Sequence, residues 1–76
     1  MSQWNEIGMS LPDIRKAAGK SQRDVAAAMG VSQPNVSEFE RRNDVRLLTL
    51  RRFIEALGGD LEVLVVLDGL RVRLPF

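Results

Sequence analysis

Six residues in the middle of the chain, Ser32, Gln33, Pro34 and Asn35 followed by Ser37 and Glu38, carry amide, hydroxyl and carboxylate groups over two helical turns. None is a nucleophile paired with a base, and the sequence holds no His and no Cys, so the usual general base and the thiolate metal ligands are absent. The remaining Asp, Glu and Lys residues form no recognisable catalytic or metal spacing, which argues against an enzyme and gives no reason to expect a cofactor. What these side chains can do, all but that of Pro34, is form directed hydrogen bonds. Gln and Asn amides match the N6 and N7 edge of adenine, Ser bonds in either sense, and Glu accepts from cytosine N4. Each good pair contributes roughly 1–3 kcal/mol of discrimination between bases. That chemistry requires a rigid element that carries these groups into the major groove.

The flanking residues supply such an element. Ser32 is a helix cap, and Val36 and Phe39 lie three apart on one face of a helix that ends near Arg42. Before it, Ser21 and Asp24 open another helix that runs through Met29 and closes at Gly30. Counted from Gln22, Ala26 is fifth, Gly30 ninth, Val36 fifteenth and Phe39 eighteenth. Ala26 allows the two helices to approach closely, and Gly30 supplies a positive φ at the turn. Val25, Met29, Val31, Val36 and Phe39 are expected to fill the wedge between the helices, leaving the second helix as a ridge about as wide as the major groove, whose N-terminal residues reach base edges first.

Residues 10–52 hold nine basic groups against five acidic ones, a local +4 that the whole-chain charge of +1 conceals. Arg41, Arg42 and Arg46 follow the expected ridge closely enough to neutralise flanking phosphates, whereas Arg51 and Arg52 read as a solvated helix face. An earlier helix is expected over Leu11 to Ala18, capped by Ser10 and Asp13 with Pro12 in its first turn and ended by Gly19. Residues 1–9 show no sustained period and read as an arm or a short helical extension. Asn43 and Asp44 begin a connection to a later helix, in which Leu47, Leu50, Phe53, Ile54 and Leu57 mark an apolar stripe that stops at Gly58 and Gly59.

After that helix the period changes to alternation. Leu61, Val63, Val65 and Leu67 precede Asp68-Gly69, and Leu70, Val72 and Leu74 follow it, the pattern of a β-hairpin with a two-residue turn. The turn pairs Leu67 with Leu70, Val65 with Val72 and Val63 with Leu74, so these apolar residues share one face. Leu64 and Val66 oppose Arg73 and Arg71 on the reverse face. An isolated hairpin is marginal in water. It must therefore pack on its own helices, on a second copy or on another protein, and a chain of 76 residues gains from such added burial. The apolar run Leu61 to Leu67 is too short to span a bilayer, and the first nine residues lack a signal core, so a cytoplasmic chain without membrane association is expected.

Residues 10–59 resemble the Xre, or lambda-repressor-like, helix-turn-helix family, with SQRDVAAAMGVSQPNVSEFERR matching its central motif nearly position by position. The resemblance implies a mainly α, four-helix domain that binds double-stranded operator DNA as a homodimeric transcriptional repressor. It implies that Gln22 holds a phosphate and that Gln33, Pro34 and Glu38, with Ser32 close by, stand where relatives read bases. Pro34 and Glu38 depart from the glutamines of some relatives, so the resemblance does not carry over an operator sequence. It also implies a partly buried ion pair between Arg15 and Glu40. The tail DVRLLTLRRFIEALGGDLEVLVVLDGLRVRL is similar to short Xre regulators that serve as antitoxins in HigA-type and HipB-type modules. In HipB-like relatives the strand after this helix pairs across a two-fold axis, which would assign Val63, Val65, Leu67, Leu70 and Val72 to a dimer contact and 60–76 to a dimerisation tail, with a toxin as a further partner. An alternative reading is a protein-interaction module with little DNA binding of its own, in which the hairpin or the arm holds the toxin. The sequence leaves the dimer contact open between hairpin and helices.

Overall fold

A computed structural model describes residues 8–42 and 45–75. The expectations placed on residues 1–7 of the arm and on Asn43 and Asp44 lie outside the described residues. The element order is α1 (Leu11–Ala17), α2 (Gln22–Met29), α3 (Gln33–Arg41), α4 (Leu47–Ala56), β1 (Val63–Leu67) and β2 (Leu70–Leu74).

The first three helices start as their sequences dictate. In α1 the Ser10 hydroxyl accepts from the Asp13 backbone N–H while the Asp13 carboxylate accepts from the Ser10 N–H. Ser21 and Asp24 repeat the arrangement at α2 with shorter bonds of 2.8 and 3.0 Å. Two orphan N–H groups are satisfied at each end, and losing such a cap costs about 1 kcal/mol. Ser32 caps α3 by accepting from Asn35 N–H, and Pro34 sits in the first turn, where an amide hydrogen has no intrahelical partner. Gly30 ends α2 at φ 70°, a left-handed conformation that turns the chain into α3.

Val25, Ala26, Val36 and Phe53 are buried and form the core, with Leu11, Met29, Phe39, Ile54, Ala56 and Leu57 packed around it. The small Ala26 is buried where α2 carries the core residues that meet Val36 of α3, and Phe39 stacks at a tilt on Phe53, ring centres 5.1 Å apart. This packing fixes α3 against α2 and α4. Two expected core positions behave otherwise. Val31 is 40% exposed and Leu47 43% exposed. Val31 directly follows the left-handed Gly30, in the turn between α2 and α3, where it borders an open cleft with Met29, Val36 and Phe39. Leu47 is the first residue of α4, at the end of its stripe.

The strands pair antiparallel in the register Val63 with Leu74, Leu64 with Arg73, Val65 with Val72, Val66 with Arg71 and Leu67 with Leu70. Asp68 and Gly69 have φ of 49° and 81°, the two positive values of a type I′ turn, whose twist matches that of the strands. The extensive element contacts are β1 with β2, α2 with α3 and α2 with α4, so the hairpin packs mainly on itself. Val63 and Val65 are half-buried, while Leu67, Leu70, Val72 and Leu74 are exposed. The radius of gyration, 13.9 Å, exceeds the roughly 11 Å of a compact chain of this length. Its own helices leave most of the hairpin's apolar face uncovered.

Candidate nucleic-acid interface

The exposed side of α3 is where the sequence places its hydrogen-bonding groups. Ser32, Gln33, Pro34, Asn35 and Glu38 are exposed, whereas Ser37 is half-buried. Ser32 already uses an oxygen lone pair in its cap and keeps its hydroxyl proton for another partner. The inward side of the same helix carries Val36 and Phe39 in the core and Glu40 toward α1. One short helix therefore faces two ways, anchored by every third or fourth residue and open at its N-terminal turn.

Behind α3, Arg15 of α1 donates from Nε to Glu40 Oε2 at 2.7 Å, with side chains 10% and 2% exposed. A second guanidinium nitrogen donates to the Lys20 carbonyl at 3.0 Å, tying the loop before α2 into the same network. Gln22, the first residue of α2, donates from Nε2 to Glu40 Oε1 at 3.0 Å. Gln22 Oε1 in turn accepts from Gln33 Nε2. Residues 15, 40, 22 and 33 thus form one hydrogen-bonded chain leading from a nearly dry ion pair to the exposed start of α3. Among the described residues no buried side-chain nitrogen or oxygen lacks a partner.

Sequence reasoning placed Gln22, Gln33 and the Arg15–Glu40 pair in separate roles and missed that they are connected. The signal was present only as spacings of eleven and eighteen residues, which acquire meaning once the Gly30 turn folds α3 back over α2. Asn35, Glu38 and Arg42 lie on the other flank of α3, where with Phe39 and Thr49 they line a shallow cleft of about 210 Å³. A neighbouring cleft of about 450 Å³ is bordered by Phe39, Arg42, Val45, Arg46 and Thr49. Glu38 is held by Arg41 at 3.0 Å and lies 3.8 Å from Arg42, all three exposed. Such solvated pairs contribute about 0–1 kcal/mol and are readily exchanged for other partners. Arg46 occupies the N-cap position of α4 without a side-chain cap bond, beside the partial positive charge of the helix start.

Asp13 and Asp24 have carboxyl groups held below the usual range. For Asp13 the leading cause is the Ser10 side chain, followed by the Ser10 backbone N–H; for Asp24 it is the Ser21 backbone N–H, followed by the Ser21 side chain. Both belong to helix caps rather than to the exposed row on α3. Among the described residues there is no group of three or more His, Cys, Asp or Glu side chains that could hold a metal ion, and no helix long and apolar enough to cross a membrane.

The two helices locked through Ala26, the left-handed Gly30 and the exposed start of α3 reproduce the arrangement that a known family shares, and residues 13–64 match that family. The chain belongs to the helix-turn-helix family. Among named helix-turn-helix relatives, a Mycobacterium tuberculosis protein bearing the antitoxin name HigA3 is 48% identical over 56 residues, which are 70% of this chain and 51% of that protein. Antitoxin HigA1 of the same species is 42% identical over 59 residues, 76% of this chain and 40% of the relative. The chain thus spans about half the length, or less, of these curated relatives. Two solved structures correspond over almost their whole length. One is a HigA antitoxin described for DNA bending induced by its unique dimerization, with TM-score 0.81, 41% identity and coverage of 90% of this chain and 93% of that one. The other is DNA-bound antitoxin HigA3, with TM-score 0.85, 40% identity and coverage of 92% and 94%. Four helices followed by a two-stranded hairpin are therefore a fold shared with HigA antitoxins.

Proposed function

We propose that this chain is a sequence-specific DNA-binding repressor that acts as a homodimer and serves as the antitoxin and autorepressor of a toxin–antitoxin module. The observation that carries the reading is the likeness to DNA-bound antitoxin HigA3, at 40% identity over nearly the full chain, joined to a start of α3 whose exposed side chains are those that read base edges. In this reading α3 lies in the major groove. Gln33, Asn35 and Glu38, with Ser32, Pro34 and Ser37 beside them, face base edges, and Gln22, Arg41, Arg42 and Arg46 meet phosphates. Gln22 spends one N–H on Glu40 and retains the other for a phosphate oxygen.

The hairpin completes the proposal. Its exposed apolar face, Leu67, Leu70, Val72 and Leu74 with the half-buried Val63 and Val65, is covered by the same face of a second copy. Two α3 helices related by a two-fold axis then address half-sites about one helical turn apart on a pseudo-palindromic operator. Leu64 and Val66 on the reverse face, with Arg71 and the Arg73–Glu62 pair, remain for a toxin. The work is recognition rather than catalysis, and a DNA partner places it in the cytoplasm.

The test is binding of the purified chain to DNA from its own promoter and to unrelated DNA, at two salt concentrations. Tighter binding to the promoter at both is the expected result. Equal binding to both DNAs would remove the operator-reading role and leave the hairpin as the functional surface.

A further inference from the structure

We infer that Glu40, though remote from the exposed row, is a positioning residue that sets the direction in which Gln33 presents its amide, and so selects adenine at the base pair Gln33 faces. The inference rests on the DNA-reading role proposed above and specifies one of its contacts.

An amide can usually turn either end toward a partner, but a carboxylate only accepts. Glu40 Oε2 takes Arg15 Nε at 2.7 Å, and Oε1 takes Gln22 Nε2 at 3.0 Å together with a longer bond from Arg15 Nη2 at 3.4 Å, so Gln22 must point its NH2 at Glu40 and its carbonyl oxygen toward the start of α3. That oxygen also only accepts, and Gln33 is obliged to donate one N–H from Nε2 to it. Gln33 then has one N–H and its carbonyl oxygen left for DNA. Adenine offers the complement, an N7 acceptor beside an N6 donor. Guanine offers two acceptors, N7 and O6, which suit an amide with both N–H groups available and not one that has committed the first. The direction originates at Glu40, whose partner Arg15 is itself fixed by the Lys20 carbonyl at 3.0 Å.

Replacing Glu40 with Gln reverses the chain. Arg15 Nε, which makes the shorter of the two bonds to Glu40, would hold the new carbonyl oxygen, and the new NH2 would face Gln22 at the expense of the longer Arg15 Nη2 bond. Gln22 would turn its oxygen to position 40 and its NH2 toward the start of α3, and Gln33 would have both N–H groups free for guanine. Adding Gln22→Glu restores the original sense, because Glu at 22 accepts from Gln at 40 and from Gln33 alike. This rescue separates positioning from simple support of the fold.

The experiment measures binding of the full chain to its promoter operator and to operators in which single purines are exchanged. Gln33→Ala locates the base pair that Gln33 faces. Wild type should prefer adenine there, E40Q should shift the adenine-to-guanine affinity ratio by about tenfold toward guanine, and the Q22E/E40Q pair should return the ratio toward the wild-type value even if all affinities fall. Gln22→Met, which leaves the Arg15–Glu40 pair intact, should lower the ratio as well and keeps the test open if E40Q fails to fold. An unchanged ratio in Q22M, or a preference other than adenine at the Gln33 position in wild type, overturns the inference while leaving the operator role standing. Wild type that binds all DNA alike overturns the operator role, and the inference falls with it.

Discussion

Arg15 Nε and Glu40 Oε2 lie 2.7 Å apart although twenty-five residues separate them, and the pair joins α1 to α3 with almost no access to water. The desolvation cost of two charges offsets much of their attraction, so the pair orients more than it stabilises. Removing one partner is a different matter, because the other is left buried without compensation. Glu40→Ala and Arg15→Ala should each lower unfolding free energy by about 3–5 kcal/mol, a large fraction of what a domain this small possesses. Urea unfolding of each single variant and of the double variant checks it. The double should lose less than the sum of the singles, and additive losses would mean that the two charges do not act as a pair.

Acid should weaken the fold through α1 and α2. Hydrogen bonds from Ser10 and Ser21 hold the carboxyl groups of Asp13 and Asp24 below their ordinary value of 3.8. A folded-state pKa lower than the unfolded one means that the unfolded chain binds protons first, so the stabilisation is complete above the unfolded value and is lost as pH falls through it toward the folded value. Unfolding midpoints should therefore decline below about pH 4. An Asp13→Ala, Asp24→Ala double variant should start less stable at neutral pH and show a shallower acid decline than wild type. Parallel acid curves for the two proteins would locate the acid sensitivity elsewhere.

The caps that produce this effect were legible in the sequence because a capping box is a local device of four residues. The hairpin register was legible for a similar reason, since Asp68-Gly69 fixes the turn and a period of two fixes every pair beyond it. Val31 and Leu47 were not, because an apolar side chain at the right spacing says nothing about whether its element ends before the core does. The link from Glu40 through Gln22 to Gln33 was equally hidden. Its members sit on separate helices, and only the turn at Gly30 and the close approach permitted by Ala26 bring them within hydrogen-bond distance.

The hairpin gives a test that separates folding from association. Val72 is 43% exposed within one chain, so Val72→Asp should leave the monomer's helical content and melting behaviour nearly unchanged. In the proposed dimer the same position faces apolar residues of the second copy, where an unpaired carboxylate is costly to bury. The dimer dissociation constant should rise by at least about tenfold, which corresponds to roughly 1.4 kcal/mol. Sedimentation equilibrium measures it directly, and operator affinity should fall with it. A variant that stays dimeric with wild-type affinity would move the dimer contact from the hairpin to the helices.

Salt dependence distinguishes the groups that position DNA from those that read it. Phosphate contacts release condensed counterions, so each one adds to the slope of log affinity against log salt, whereas a base contact by a neutral amide does not. Arg42 and Arg46 border the same cleft beside the start of α4, which suits a phosphate strand passing there. Arg42→Ala and Arg46→Ala should each reduce the slope by about one and weaken binding to all sequences alike. Gln33→Ala should leave the slope unchanged and relax preference at one base pair. Arg42 has a further consequence, since Glu38 lies 3.8 Å from it and 3.0 Å from Arg41 in the free protein. Arginines drawn to phosphates release the Glu38 carboxylate, which then either accepts from a cytosine N4 or repels the backbone. Glu38→Gln tells the two apart: tighter binding to every sequence would mark Glu38 as a repulsive neighbour of phosphate, and a loss confined to one base pair would mark it as a reader.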